Sequence, residues 1–239
     1  MRALHIITPV KDSIPSTIQT VNAIRNSKID REYTYTIYND FSSDENTAAL
    51  EREVARWGDV ELVNLKDITS HPSPNYLLVL QISQQRALRE DADLLIVESD
   101  VEVKADTVQK LVEGGTELED CGIAAAVTVD ESGAVNYPYE YAAEYEKGVH
   151  AVKRHCSFCC SLLTNRLLRA FDFKELNPEK HWFDVTISQR SRALGFSNYL
   201  FTSQPVVHRP HASRPWKQLK YTNPLKYYWI KLTKGFDKI

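Results

Sequence analysis

Three acidic residues follow directly on an apolar segment near the middle of the chain. Residues 94–97 are continuously apolar, as in a strand covered on both faces, and Glu98, Asp100 and Glu102 follow at two-residue intervals. In an extended chain this spacing directs the side chains to one face. Two carboxylates that converge at a strand end supply oxygen ligands for a hard divalent cation such as Mg²⁺ or Mn²⁺. The alternative interpretation is a solvated strand end.

Two further aspartates stand at the ends of earlier predicted strands. Asp12 follows the first strand and Asp40 follows the second. A carboxylate in such a position can accept hydrogen bonds from a base N–H or from a ribose hydroxyl. The alternative is a loop aspartate that caps the next helix, which is a common use of this residue.

Asp184 lies near the start of a helix predicted over residues 182–194. The positive end of a helix dipole stabilises an ionised carboxylate, and the neighbouring Trp182 and Phe183 can shield it from water. These properties suit a general base that removes a proton from a hydroxyl group. An ordinary first-turn aspartate is the alternative.

His208 follows the apolar pair Val206 and Val207 at the end of a short predicted strand. A neutral imidazole at this position can supply a third metal ligand, although a lone histidine also serves structural roles and His211 is a nearby competitor. The chain contains eight glycines and has no GxSxG nucleophile motif, no phosphate-binding P-loop and no GxGxxG fingerprint.

An alternation of strands and helices in the first half of the chain positions these acids. The pattern predicts βαβ units and a mostly parallel sheet, in which ligands bind beyond the carboxyl ends of the strands. The predicted strands cover residues 4–8, 34–38, 60–65, 94–97 and 123–129, and the predicted helices cover residues 16–25, 44–57, 75–89 and 106–118.

The second half of the chain is less regular. We predict a loop over residues 136–145, strands over 155–163, 199–201 and 205–208, and helices over 165–170 and 182–194, the last ended by Gly195. Beyond His208 the composition becomes basic and aromatic. This tail predicts a helix that packs its aromatic face on the domain, which we favour, or an amphipathic segment on an anionic membrane surface.

Length and composition restrict the class of protein. A chain of 239 residues with 43% hydrophobic residues is long enough for one large α/β domain with a core. A net charge of −3 argues against a nucleic-acid partner. No apolar run approaches the roughly 20 residues of a membrane span, and the N-terminal segment lacks the pattern of a signal peptide.

Four cysteines bear on the cellular compartment. Cys156 and Cys159 have CxxC spacing, but no second pair completes a zinc site, so we interpret these residues, together with Cys121 and Cys160, as small buried hydrophobes. Free thiols predict a reducing cytoplasm. The sequence therefore predicts a cytoplasmic protein, and the membrane alternative for the basic tail would add peripheral contact with the inner face of the membrane.

Taken in order, these segments resemble the inverting family 2 glycosyltransferases of GT-A fold over roughly residues 3–210. The opening strand and loop are ITPVKD at residues 7–12, and the second-strand motif is IYNDFSSDENT at residues 37–47. The segment LIVESDVEV at residues 95–103 is similar to the metal-binding DxD segment. Residues 159–172 resemble the strand and helix before the acceptor site. The segment WFDVTISQR at residues 182–190 resembles the one that carries the catalytic base, and Val207-His208 resembles a late metal-ligand histidine.

The resemblance implies an α/β GT-A fold with a mostly parallel central sheet flanked by helices. It implies a catalytic domain over residues 1–210, with a nucleotide-binding part over about 1–103 and an acceptor part over about 104–210, followed by the tail at 211–239. The implied activity is transfer of a sugar, with inversion, from a nucleotide sugar such as a UDP-sugar. The implied acceptor is a hydroxyl of a saccharide or lipid-linked saccharide, as in polysaccharide biosynthesis.

The resemblance also assigns roles to single residues. It implies that Asp100, Glu98 and His208 bind Mn²⁺ or Mg²⁺ and that Asp184 is the catalytic base. The implied nucleotide-sugar contacts are Thr8, Pro9, Val10, Asp12, Asp40, Ser42 and Ser99. The sequence departs from the family pattern at four positions, with Phe41 and Ala170 in place of frequent glycines, Glu98 in place of the first metal-binding aspartate, and Phe183 in place of an acidic residue.

Two other functions are considered. A sugar-phosphate nucleotidyltransferase has a similar sheet, but its first loop is usually glycine-rich and basic, whereas residues 8–16 contain no glycine and a single lysine. A non-catalytic nucleotide-binding or scaffold protein of the same fold is compatible with the departures at Glu98 and Phe183.

Overall fold

The computed structural model describes residues 2–180, 182–209 and 223–234. A nine-stranded sheet with helices against it lies within residues 4–208. Strands β1 to β9 span Leu4–Val10, Tyr33–Asn39, Glu61–Asn64, Asp93–Val97, Val101–Glu102, Cys121–Val129, Val149–Ala151, Cys160–Leu163 and Ser197–His208. Helices α1 to α7 span Ile14–Arg25, Asp44–Trp57, Tyr76–Arg89, Thr107–Glu117, Asn165–Ala170, Phe183–Ala193 and Pro224–Lys234. Short 3₁₀ turns cover Leu65–Asp67, Glu140–Ala142 and Phe173–Glu175.

The sheet has the strand order β3-β2-β1-β4-β8-β6-β9-β5, with β7 also paired to β9. Strand β1 is parallel to β2 and β4, and β2 is parallel to β3, as the first half of the sequence predicts. The second half makes the sheet mixed, because β8 runs antiparallel to both β4 and β6, and β5 and β7 run antiparallel to β9. The carboxyl ends of β1, β2 and β4 meet at one edge.

The central strands are buried on both faces, which explains their continuous apolar sequences. In β4, Leu94 and Ile96 pack in one hydrophobic cluster, and Leu95 and Val97 pack in the cluster on the opposite face. All four side chains are fully buried. This two-residue alternation fixes the register of β4 and therefore the position at which the acidic segment leaves the sheet.

Local capping signals end the helices where the sequence predicts. The Ser43 side chain accepts a hydrogen bond from the N–H of Asn46 at the start of α2, and Gly58 ends this helix with a left-handed φ of 74°. Gly195 follows α6 with a φ of 89°, which a glycine adopts without steric cost. The predicted end of the last of these helices at Gly195 is therefore confirmed.

Three strands predicted in the second half have different bounds. Residues 155–159 are not a strand, and β8 begins only at Cys160. The two short strands predicted at 199–201 and 205–208 form one strand, β9. The sequence predicts a break at the polar stretch from Thr202 to Pro205. The strand continues there because its pairing with β6 shifts register between Ala126 and Thr128.

A buried histidine in β1 should make the free energy of unfolding fall in acid. His5 is fully buried, and its Nδ1 lies 2.8 Å from the Thr34 hydroxyl. Burial and the nearby charge of Arg86 lower the pKa of His5 to about 3. In the unfolded chain His5 takes up a proton near pH 6.5, whereas in the folded chain it stays neutral. The stabilisation that comes from this difference in pKa is therefore complete above pH 6.5. It is lost as the pH falls toward 3.

We expect His5→Asn, which can still hydrogen bond to Thr34, to flatten this pH dependence. Between about pH 7.5 and 5, the wild-type protein should lose about 2 kcal/mol more unfolding free energy than the variant. Denaturant titrations at both pH values measure the difference. His71→Asn, which removes an exposed histidine, is the matched control. Equal pH slopes in wild type and His5→Asn would show that His5 is not the source.

The tail is described only in α7. Leu225, Tyr228 and Trp229 of this helix are 86%, 54% and 63% exposed. These three side chains do not make the packing predicted for the tail, and packing of the tail as a whole stays a prediction, since residues 210–222 and 235–239 lie outside the described ranges. Within those ranges, no helix combines the length and apolar character needed to cross a membrane.

Candidate metal and nucleotide-sugar site

The acidic segment forms a turn between β4 and β5. The N–H of Val101 donates a hydrogen bond to the carbonyl of Glu98 over 3.2 Å. Ser99, at the centre of the turn, is buried. Glu98 and Asp100 therefore approach each other because the chain turns, and the prediction that the chain stays extended here is wrong.

Two antiparallel pairings bring distant residues to this turn. The register of β4 with β8 pairs Val97 with Cys160, and the N–H of Glu98 donates to the carbonyl of Cys159 over 3.0 Å. The register of β5 with β9 pairs Val101 with His208. As a result, one pairing sets Cys159 beside Glu98, and the other sets His208 beside Asp100.

His208 is oriented toward the carboxylates by a backbone contact. Its Nδ1 lies 2.8 Å from the carbonyl of Tyr137, so Nδ1 carries the hydrogen in the neutral ring. Its Nε2 lies 3.6 Å from Oδ2 of Asp100, and the two residues are only 4% and 7% exposed. A ligand histidine commonly has this arrangement, because the bond at one nitrogen fixes the ring and leaves the other nitrogen for the metal.

The described residues contain one group of possible metal ligands at this position. Oxygen, sulfur and nitrogen atoms of Glu98, Cys159 and His208 all lie within 4.8 Å of one another. Asp100 borders this group, because its carboxylate lies beside the His208 imidazole. The CxxC spacing alone does not predict that Cys159 belongs to this group, because only the pairing of β4 with β8 sets Cys159 against Glu98.

The electrostatics of the group favour a cation. Burial and then the negative charge of Asp100 raise the pKa of Glu98. Burial opposes protonation of His208, but contacts with Asp100 and with the Tyr137 carbonyl raise the pKa of His208 overall. Carboxylates held this close in the interior repel each other, and a divalent cation offsets that repulsion. The donor set and the fixed imidazole therefore fit a metal ion.

Glu102, the third acid of the segment, lies outside this group. Its carboxylate accepts a hydrogen bond from Arg209 over 3.0 Å, and Arg209 also pairs with Glu131 at 2.9 Å. The two-residue spacing therefore does not bring all three acids to one metal.

Asp12 joins the loops that follow β1 and β2. Its Oδ1 accepts hydrogen bonds from the Ser43 N–H over 2.7 Å and from the Asn46 side chain over 3.1 Å. Its N–H donates to the Ser42 hydroxyl over 2.9 Å. Burial opposes ionisation, but these hydrogen bonds lower the pKa of Asp12 overall. The structure thus brings Asp12 and Ser42 together.

The three predicted nucleotide-sugar contacts in β1 have side chains that are buried or half-buried. The Thr8 hydroxyl lies 2.8 Å from that of Tyr35 in the interior, Val10 packs in the core, and Pro9 is half-buried. Thr8 and Val10 can therefore meet a ligand through their backbone groups only.

Asp40 is held by the segment before α3. Its carboxylate accepts hydrogen bonds from the Ser73 hydroxyl over 2.8 Å and from the backbone and side-chain nitrogens of Asn75 over 2.9 and 2.8 Å. Asn75 caps α3. Asp40 thus stabilises the start of α3. The alternative interpretation expected a cap on the next helix along the chain, which is α2.

Asp184 is the second residue of α6 and is half-buried. One turn later, the Ser188 hydroxyl accepts a hydrogen bond from the N–H of Cys156 over 3.0 Å. Residues four apart share a helix face, so Asp184 faces the same segment that carries Cys159. The charge of Asp184 also contributes to the raised pKa of Glu98, which brings Asp184 into the electrostatic range of the metal-ligand group.

Comparison with solved structures identifies the class of fold. The chain is similar to S. aureus TarS residues 1–349, with a TM-score of 0.63 and 12% identity over 87% of this chain and 60% of TarS 1–349. It is similar to the mannosyltransferase PcManGT from Pyrobaculum calidifontis in complex with GDP-Man and Mn²⁺, with a TM-score of 0.65 and 13% identity over 96% of this chain and 64% of that one. GalNAc-T7 with UDP, GalNAc and Mn²⁺ matches with a TM-score of 0.65 and 11% identity over 97% of this chain and 48% of that one.

These neighbours are glycosyltransferases with GT-A-like folds, and the chain has that fold, as predicted. It spans less than two thirds of each of the three solved chains. No protein-family model and no curated protein matches the sequence.

Proposed function

We propose that the protein is a metal-dependent, inverting glycosyltransferase that uses a nucleotide-sugar donor. The carrying observation is the meeting of Glu98, Asp100 and His208 at the carboxyl edge of the sheet, with Asp184 within electrostatic range. The fold adds support, since structures of this class include complexes with UDP, UDP-GlcNAc and GDP-Man.

Asp100, with Glu98 and His208, is proposed to hold Mn²⁺ or Mg²⁺. When bound, the cation supplies neutralisation of the charge that develops on the leaving diphosphate. The nucleoside of a UDP-sugar lies over the loops that Asp12, Asp40 and Ser42 hold in place, and over the turn at Ser99. Thr8, Pro9 and Val10 complete this contact through the backbone of β1.

Asp184 is proposed to accept the proton of an acceptor hydroxyl, which attacks the anomeric carbon from the face opposite the diphosphate. Its place at a helix N-terminus stabilises the ionised form. The acceptor, a saccharide or lipid-linked saccharide, is bound by residues 136–154. Tyr137 and Tyr145 of that stretch are 48% and 40% exposed, so part of each aromatic side chain is open to contact with a sugar.

Two measurements separate this function from its rivals. Release of pyrophosphate from a nucleoside triphosphate and a sugar phosphate would favour the nucleotidyltransferase, whereas release of a nucleoside diphosphate from a nucleotide sugar supports the transferase. Calorimetry with UDP and GDP, with and without Mn²⁺, tests the scaffold alternative. We expect binding that requires the metal, and no binding under either condition would favour a scaffold without nucleotide.

The exposed face of α7 is proposed to contact the cytoplasmic membrane surface, as suits polysaccharide biosynthesis. Leu225, Tyr228 and Trp229 lie on one helix face at spacings of three and four residues. We expect the double variant L225A/W229A to bind vesicles of phosphatidylcholine and phosphatidylserine roughly tenfold or more weakly in sedimentation assays, because it loses buried apolar area. Ile68→Ala, an exposed apolar position elsewhere, is the control. Unchanged binding of the double variant would contradict membrane contact through α7.

A further inference from the structure

Cys159 differs from the other three cysteines in what its sulfur faces. All four are buried. Burial alone raises the pKa of Cys160, which has no charged neighbour acting on it. The sulfur of Cys159, by contrast, lies 3.5 Å from Oε2 of Glu98 and 3.9 Å from Nε2 of His208.

These separations are those of atoms that share one metal ion. A tetrahedral site with the bond lengths usual for zinc sets a sulfur and a nitrogen ligand about 3.5 Å apart, and a sulfur and an oxygen ligand about 3.6 Å apart. The observed distances of 3.5 and 3.9 Å are close to these values. The carboxylate of Glu98 and the imidazole of His208 lie within 4.8 Å of each other, so a shift of these two side chains toward each other lets all three residues bind a common ion.

The backbone holds the sulfur in this position. Cys159 ends a turn before β8, where its N–H donates to the Ser157 hydroxyl over 3.4 Å and its carbonyl accepts from Glu98 over 3.0 Å. The Ser157 carbonyl in turn accepts a hydrogen bond from Ser161 over 2.6 Å, and the Ser157 N–H donates to the Tyr139 hydroxyl over 2.7 Å. Hydrogen bonds therefore fix the turn on both sides, and hydrogen bonds of this kind hold a metal-binding side chain in position.

We infer that Cys159 is a metal ligand and that the site therefore takes a transition ion such as Zn²⁺ or Co²⁺ in preference to Mg²⁺. A thiolate is a soft ligand that Mg²⁺ avoids, whereas a mixed sulfur, nitrogen and oxygen set suits Zn²⁺ and Co²⁺. On binding, the Cys159 S–H proton leaves to solvent and a metal–sulfur bond forms, with no change of oxidation state. The inference deepens the proposed function, because it concerns the same metal site.

The test is titration of the full chain with Co²⁺ under reducing conditions, followed by absorption. A sulfur ligand gives a sulfur-to-cobalt charge-transfer band in the near ultraviolet. We expect this band in the wild-type protein and in Cys160→Ala, and we expect Cys159→Ser to lack it. By calorimetry, Cys159→Ser should bind Zn²⁺ about 100-fold or more weakly, since losing even a residue that only holds a metal ligand in position costs 10- to 100-fold in affinity. Circular dichroism establishes that the variants are folded.

The outcomes distinguish this inference from the proposed function. Co²⁺ bound in the wild type without a charge-transfer band overturns the role of Cys159 and leaves the transferase proposal intact. A band that persists in Cys159→Ser also overturns it. A band that depends on Cys159, in a protein that turns over no nucleotide sugar, supports the ligand and contradicts the transferase.

Discussion

Asp184→Asn is expected to lower kcat for sugar transfer by about 10³-fold, because general base catalysis contributes on the order of 10²- to 10⁴-fold. Asparagine cannot accept the acceptor proton, but its oxygen can still accept the hydrogen bond from Val185 that Asp184 makes over 2.9 Å. The variant should therefore fold. Because the proposed role concerns the acceptor, the dissociation constant for the nucleoside diphosphate with Mn²⁺ should not change.

Steady-state kinetics and calorimetry on the same variant check both parts. Asp106→Asn is the matched control, since Asp106 is an exposed aspartate at the start of α4 and has no proposed role in the site. Full transferase activity in folded Asp184→Asn removes Asp184 from the mechanism. A loss of nucleotide binding equal to the loss of activity would instead make Asp184 a donor-binding residue.

Asp100→Asn is expected to remove metal-dependent binding of the donor. A metal contributes several kcal/mol to stabilising charge in the transition state, so its loss should lower kcat/KM by about 10³-fold. Without metal the variant loses both the repulsion between Asp100 and Glu98 and the contact of Asp100 with His208, so the comparison uses the change in Tm on adding metal. Thermal unfolding with and without Mn²⁺ should therefore show a metal-induced rise in Tm for the wild type only.

Glu102→Gln is the matched control for Asp100→Asn. Glu102 belongs to the same acidic segment, but its carboxylate pairs with Arg209 and lies outside the group of metal ligands. We expect wild-type metal binding and wild-type kinetics from this variant. Equal losses from the two substitutions would mean that the whole segment acts through its charge and that Asp100 has no special position.

The sequence predicts the parts of this architecture that depend on local pattern. The alternation of apolar runs and capped helices predicts the parallel half of the sheet, and parallel strands with a common edge predict that Asp12 and the turn at Glu98 lie on one side. The structure sets His208 3.6 Å from Asp100, the proximity that a shared metal ion would require. The roles assigned to these residues stay predictions.

The missed features depend on long-range pairing. Strand β8 enters antiparallel between β4 and β6, and only this order sets Cys159 against Glu98. No local pattern around Cys159 contains that information, because its neighbours are those of any buried strand. In the same way, Asp40 bonds to Ser73 and Asn75 more than 30 residues away, and its own loop gives no sign of them.

Turnover of a nucleotide sugar at this site is tested most directly by measuring release of nucleoside diphosphate from UDP-GlcNAc, UDP-GalNAc and GDP-mannose. The measurement is made after chelation and again with Mn²⁺, Co²⁺ or Mg²⁺ added. We predict that at least one donor is cleaved, that cleavage requires a divalent cation, and that Asp100→Asn abolishes it. Absence of cleavage with every donor, or cleavage that is equally fast in chelator and in Asp100→Asn, would contradict a metal-dependent glycosyltransferase.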